Sequence, residues 1–270
     1  LQNSPFLFAS GDSDGMVLPT GHELIPVSWL SKPTAILPAW MFTETGQPSL
    51  IDPRHVLKSV LDKYRDLELT PVAAFELEFY LLDNNSNKVT RPIDPMTKKR
   101  LLNTSVLSID ELDSFEGFFS EVYSVCEAHG IPTDTAISEN AAGQFEINLS
   151  HTDNILKAAD DAALLRRVIK ETAIKHGYEA SFLSKPFVNE TGSGMHVHLS
   201  IFDKNNDNIF ASSKDEGSEQ LGFAIGGLQK TTYDNFLIFA PNINSYRRFK
   251  PDQFVPVNNS WGPNNRSVAF

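Results

Sequence analysis

The chain has 270 residues, 41% of them hydrophobic and 21% charged, which is enough apolar content for a packed core and too much for a disordered chain. A formal net charge of −11 argues against nucleic acid as a partner, because a phosphate backbone calls for clustered Lys and Arg. The lone Cys126 excludes an intrachain disulfide or a CxxC metal site and suits a reducing, cytoplasmic setting, and no apolar run approaches the ~20 residues of a membrane span.

Residues 1–51 hold short β-prone pieces, MVLP, ELIPVSWL and TAILPAWMF, separated by Pro and Gly, and are expected to form short strands and turns. The opening LQNSPFLFAS has no signal-peptide pattern and no initiator Met, so the chain is expected to begin inside a longer protein. A helical period starts at DPRHVLKSVLDKYRD. Asp52 is placed to cap it, Pro53 suits the first turn, and Val56, Leu57, Val60, Leu61 and Tyr64 form its apolar stripe. The domain boundary is expected just before this helix, giving units 1–51 and 52–270.

PVAAFELEFYLLD reads as a strand, and DSFEGFFSEVYSVCEAHG as a helix ending at Gly130. TDTAISE and GQFEINLS read as two strands joined by a turn at Gly143. DNILKAADDAALLRRVIKETAIKHG is the strongest helix, with Gly177 at its end. GMHVHLSIFD is a strand, LGFAIGGLQKTTYDNFLIFAP a helix broken by glycines, and the last 30 residues are irregular. The class is α+β with antiparallel strand pairs.

Strand alternation sorts the chemistry. In FELEF, Glu76 and Glu78 share one face and Phe75, Leu77 and Phe79 the other. Glu146 lies with Gln144 and Asn148 on a polar face, and a turn at Gly143 would bring Glu139 close to it. His196, His198 and Ser200 share a face opposite Met195, Val197 and Leu199, while Gly192 and Gly194 allow close backbone approach. Taken alone, each strand fits a solvated polar face equally well. Together they offer Glu76, Glu78, Glu139, Glu146 and His196, a set rich in oxygen with one imidazole, which suits Mg²⁺ or Mn²⁺ better than structural Zn²⁺. Carboxylates converging this way are costly without cations, and two or more divalent ions could clamp a polyphosphate, pointing to phosphoryl transfer from ATP. Arg247, Arg248 and Arg266 could grip phosphate or carboxylate, although an Arg pair in a loop is as readily a solvated surface.

ELEF, SENAAGQFEINL, GSGMHVHLS and NSYRRFKP…VNNSWGPNNRS together resemble the glutamine synthetase family in order, spacing and content. The resemblance implies a β-grasp remnant over residues 1–51 and a catalytic domain over 52–270, built on an antiparallel sheet as a partial barrel and C-terminally incomplete. It implies an ATP-dependent ligase that makes γ-glutamyl phosphate and passes the γ-glutamyl group to an amine, with two or three Mg²⁺ or Mn²⁺ ions. By position, Glu78, Glu139 and Glu146 resemble ligands of a first metal, and Glu76 and His196 ligands of a second. His198, Ser200 and Asp134 resemble nucleotide contacts, Gly192 and Arg248 glutamate contacts, and Arg266 a phosphate contact. Asp14 resembles an amine-binding aspartate donated across a subunit interface, which implies a homo-oligomer, a dodecamer of two hexameric rings.

The chain departs from ammonia-using members in two places. Phe254 stands where they carry a proton-accepting Glu, and Ile137 and Ser138 stand where they often carry a His pair. Both departures resemble the γ-glutamylpolyamine (γ-glutamylputrescine) synthetase branch, in which Phe254 would line a pocket for a larger amine. Glutamine synthesis from ammonia is the alternative, and a non-catalytic relative acting as a structural oligomer is another.

Overall fold

The computed structural model describes residues 14–21, 24–86, 88–102, 106–251, 255–265 and 268–270. The chain divides into two compact units, Leu1–Pro71 and Val72–Phe270.

In the first unit, β1 (Met16–Pro19) pairs antiparallel with β4 (Ala39–Phe42), and β2 (Ile25–Pro26) with β3 (Ala35–Ile36). Helix α1 (Pro53–Asp66) starts as its sequence predicts: Asp52 Oδ1 accepts from the backbone N–H of Arg54 at 2.9 Å, and Pro occupies the first turn. The same carboxylate ties the helix to β4, because its Oδ2 accepts from Met41 N at 2.9 Å. His55 Nε2 donates to Met41 O at 2.9 Å, and its ring lies 4.8 Å from that of Trp40. These local bonds join α1 to the N-terminal strands, and by contacts it falls in the first unit. Its apolar stripe buries no residue, and Val56 stays 52% exposed.

The second unit is built on a five-stranded sheet. Strand β5 (Thr70–Asp83) is central and runs antiparallel to β7 (Gln144–Leu149) and β8 (Tyr178–Ser181); β6 (Thr133–Ser138) pairs antiparallel with β7, and β9 (Met195–Phe202) also pairs with β5. The sheet is open, with no closed barrel among the described residues. One face is covered by α3 (Glu116–Ala128) and α4 (Ile155–Lys175). Phe79, Phe145 and Ile147 meet Phe118, Val122, Leu165 and Ile169 there, all at most 2% exposed. Phe145 is the hub, with ring centroids 5.3 Å from Phe115 and 5.2 Å from Phe119. Each such side chain contributes roughly 2–3 kcal/mol by leaving water. Because alternation is strict, this packing turns Glu76, Glu78, Gln144 and Glu146 to the opposite face. Cys126 is buried beside the core, where burial and the nearby Asp161 charge push its thiol up to about 12.

Four further features differ from the sequence reading. The helix expected from residue 113 is split at Phe115 into α2 (Ile109–Ser114) and α3, because that ring is drawn into the core against Phe145. Strand β8 was not foreseen. Helix α5 (Glu219–Phe239) runs unbroken through Gly222, Gly226 and Gly227. A helical glycine costs about 1 kcal/mol but does not break the chain, and Ser218 Oγ caps the start by accepting from Leu221 N at 3.1 Å. Among its described residues the irregular tail holds one short helix, α6 (Ile243–Tyr246). No described helix is long and apolar enough to cross a membrane.

Candidate active site

Register brings the acidic strands together. Glu78 lies directly opposite Glu146, and Glu76 opposite Asn148, on the β5–β7 pair. The β6–β7 hairpin turns at Gly143, whose φ of +77° favours glycine, and Glu139 N donates to Gln144 O at 2.8 Å across it. Strand β9 adds its histidines to this face. His196 Nδ1 lies 3.0 Å from Glu76 Oε2 and 3.9 Å from Glu78 Oε1, and His198 Nε2 lies 2.7 Å from Glu76 Oε1. One ligand atom each from Glu76, Glu146 and His196 fall within 4.8 Å of one another, a spacing that could hold a cation. Two carboxylate oxygens and one imidazole nitrogen suit a divalent ion of the Mg²⁺ or Mn²⁺ type.

The electrostatics of the protein alone point the same way. Glu146 is 5% exposed. Burial first, and then the charges of Glu76, Glu139 and Glu78, push its carboxyl up to about 7 from an ordinary 4.5. A raised pKa means the folded state prefers the proton. The stability this group lends is therefore complete below about 4.5 and is lost as pH rises through about 7. Thermal melts of the metal-free protein are expected to fall between pH 5.5 and pH 8. Mn²⁺ affinity should rise over the same interval, because ligation needs the deprotonated carboxylate. A melting temperature flat in pH without metal would contradict this.

The glycine run is shaped around Arg248. A Cβ on Gly192 would meet Ser184 O at 2.4 Å and Arg248 Cγ at 2.9 Å, and one on Gly194 would meet Arg248 Nη1 at 2.9 Å. These glycines are needed for close approach rather than for backbone freedom. Burial draws the Arg248 guanidinium below its ordinary value, and the charge of Glu78 opposes that shift. Its Nε is buried with no hydrogen-bond partner among the described residues.

Other residues singled out in the sequence lie elsewhere. Ser200 is half-buried further along the His196 face of β9. The opposite, apolar face of β9 leaves Met195 60% and Val197 53% exposed. Asp134 is exposed on β6, and its charge acts on Tyr123 of α3, on the helix-covered side, rather than within the carboxylate cluster. Asp14 lies in the first unit, exposed just before β1. Phe254 and Arg266 lie outside the described residues.

Sequence reasoning passed over several residues that build the site. Gln144 was read only as a polar-face neighbour of Glu146, yet it is fully buried. Lys185 is 2% exposed and donates through Nζ to Glu190 O, while its backbone is clasped by Asn244 at 2.7 and 2.9 Å. Arg91 pairs with the Glu190 carboxylate, and the Tyr80 hydroxyl donates to Thr191 O. His151 sets its ring 6.2 Å from that of His198. A lysine followed by proline inside the apolar stretch FLSKPF was the one available signal.

Comparison with known proteins agrees with this geometry. The family described as glutamine synthetase, catalytic domain, matches residues 50–270. The gamma-glutamylputrescine synthetase PuuA of Escherichia coli (strain K12) is 40% identical over 233 residues, which is 85% of this chain and 49% of that protein. The glutamate–isopropylamine ligase of Pseudomonas sp is 33% identical over 266 residues, 96% of this chain and 57% of that one. A solved GmaS/ADP complex matches with a TM-score of 0.81 at 28% identity, covering 97% of this chain and 61% of its own. The chain thus spans about half the length of the curated relatives it matches. With the catalytic-domain family matched over residues 50–270 and the fold shared with a solved relative, the chain belongs to the glutamine synthetase family.

Proposed function

We propose that the protein of which this chain is part is an ATP-dependent ligase joining the γ-carboxylate of glutamate to an organic amine. The observation that carries this reading is the donor set of Glu76, Glu146 and His196 within 4.8 Å, beside an Arg248 guanidinium packed on Gly192 and Gly194. In the reaction a γ-carboxylate oxygen of glutamate attacks the γ-phosphorus of ATP, forming γ-glutamyl phosphate and releasing ADP. The amine nitrogen then attacks the γ-carbon, phosphate leaves, and the nitrogen gives up a proton.

In this reading Glu78, Glu139 and Glu146 hold one divalent ion and Glu76 and His196 another, so the close group of Glu76, Glu146 and His196 draws on both sites. Such ions, when bound, offset the charge of the carboxylates and of the phosphates. Arg248 and Gly192 receive glutamate, with the guanidinium orienting its α-carboxylate by paired N–H donors. His198 and Ser200 face the nucleotide, and Arg266 the transferred phosphate. Asp14 is assigned to the amine, in an N-terminal unit read as part of a β-grasp domain and contributed within a ring-shaped homo-oligomer.

An organic amine is favoured over ammonia by what replaces the proton-handling residues. Ile137 pairs with Glu146 in register and brings an apolar side chain to the cluster. In the sequence Phe254 follows Arg248 and stands where ammonia-using members of the resembled family carry a proton-accepting Glu. The relatives named for putrescine and isopropylamine support the same choice. The glutamine synthetase of Thermotoga maritima, 33% identical over 232 residues, keeps ammonia as the second reading. The test is phosphate release from ATP and glutamate by the full-length protein, with putrescine or ammonium at equal concentration. Putrescine is expected to win by roughly tenfold or more, the worth of a few well-packed methylenes. Ammonium turnover equal to or above it overturns the amine assignment, and no release with either overturns the ligase reading in favour of a non-catalytic oligomer.

A further inference from the structure

The face that carries the carboxylates also grips the glycine run, residue by residue. Tyr80 donates to Thr191 O. Gln144 Nε2 donates to Gly192 O at 3.1 Å and to Ser193 Oγ at 3.3 Å. Glu78 Oε2 accepts from Gly194 N at 3.0 Å, and Glu78 N donates to Gly194 O at 3.2 Å. Tyr80 and Gln144 face each other in the β5–β7 register.

Gln144 is the centre of this ladder. Its Nε2 also reaches Glu78 Oε2 at 3.4 Å, and its Oε1 accepts from Ala141 N, in the hairpin turn, at 3.2 Å. We propose that Gln144 is a positioning residue that fixes the glycine run whose Gly194 N–H engages Oε2 of Glu78, leaving Oε1 to face the cation, and that it thereby locks the cation cluster to the glutamate subsite. The proposal rests on the cation reading given above.

The argument follows from donor counting. Glu78 has two oxygens, and Oε2 takes the Gly194 N–H at 3.0 Å, while Gln144 Nε2 shares its two hydrogens among Gly192 O, Ser193 Oγ and, at the longest distance, Oε2. Oε1 is the one turned toward the cluster, 3.9 Å from His196 Nδ1. Glu78 is therefore presented through a single oxygen of fixed orientation. Only a carboxamide of this length serves at position 144. A glutamate would set a second anion against Glu78, and an apolar side chain would leave Ala141 N and Gly192 O without this partner. The same bonds join the hairpin bearing Glu139 and Glu146 to the run packed on Arg248, so displacement of one end is felt at the other.

The experiment uses Gln144→Met and Gln144→Asn in the full-length protein, with Mn²⁺ binding followed by electron paramagnetic resonance and steady-state kinetics at saturating Mn²⁺. Both variants are expected to bind Mn²⁺ about 10–100-fold more weakly. KM for glutamate should rise at least tenfold, with kcat within about threefold once Mn²⁺ saturates. A merely structural role would instead lower the active fraction and leave both Mn²⁺ affinity and glutamate KM unchanged, which overturns the proposal. Gln144→Asn keeps the amide, so it carries the test if Gln144→Met does not fold; failure of both to fold also overturns it, because the residue would then hold the fold rather than the site. If the unsubstituted protein binds no Mn²⁺, the cation reading itself falls, whereas binding that neither variant alters overturns only the role of Gln144.

Discussion

Glu146→Gln is expected to make the metal-free protein more stable and to abolish the proposed ligase activity. At pH 8 the wild-type side chain is ionised although burial and three neighbouring carboxylates push its pKa up to about 7. Replacing it with a neutral isostere removes a penalty on the order of 2–3 kcal/mol. For a unit of this size that raises the metal-free melting temperature by roughly 5 °C. The same substitution removes one of three donors within 4.8 Å. Wild-type protein at 100-fold excess of Mn²⁺ over its Kd should gain about 2.7 kcal/mol, and the variant almost none. ATP- and glutamate-dependent phosphate release should fall by about 10³-fold or more, since the electrostatic help of the ion is worth several kcal/mol. The informative comparison is melting with and without Mn²⁺. A variant that keeps the full Mn²⁺ response would remove Glu146 from the cation site.

Arg248→Lys should separate the proposed glutamate subsite from the proposed cation cluster. Lysine keeps the charge but lacks the planar fork that grips a carboxylate through two N–H groups. The space beside Gly192 and Gly194 is filled by the guanidinium itself, with its terminal nitrogens 2.9 and 3.1 Å from a Cβ built on Gly194. A shorter, thinner side chain leaves that contact empty and sits in a region already crowded by the charges of Lys185 and Lys250. Loss of a charge-assisted pair costs about 2–3 kcal/mol, so KM for glutamate is expected to rise about 30- to 100-fold. Mn²⁺ affinity and KM for ATP should change by less than about threefold, because lysine keeps the positive charge that Glu78 feels and the substitution alters the packing on the glycine run. Initial-rate kinetics varied in each substrate separately will show the split. An equal rise in both KM values would mean that Arg248 supports the whole site rather than glutamate alone.

The two substitutions probe parts of the site that were unequally legible in the sequence. The carboxylates and histidines could be read directly, because strand alternation alone assigns Glu76 and Glu78, or His196 and His198, to one face. The depth at which Glu146 sits could not. Its burial comes from helices α3 and α4 pressing Phe145 and Ile147 into the core on the other face, and from register with Glu78 across 68 positions of chain. Gln144 was visible only as a polar residue on that face. Its role needs Gly192, Ser193 and Ala141 at hydrogen-bond distance, which no local pattern encodes.

By itself the sequence determined the elements and their faces: the Asp52 cap, the Gly143 turn, the ends of α3 and α4 at Gly130 and Gly177, and the polar sides of β5, β7 and β9. These depend on backbone periodicity and on residues a few positions apart. The tertiary structure alone decided that α1 joins the N-terminal strands, that α2 and α3 part at Phe115, that one oxygen of Glu78 is spent on the glycine run, and that Arg248 packs against that run. Those outcomes depend on which distant segments meet and how closely. Burial and hydrogen-bond satisfaction are properties of the assembled sheet, and no single stretch of chain carries them.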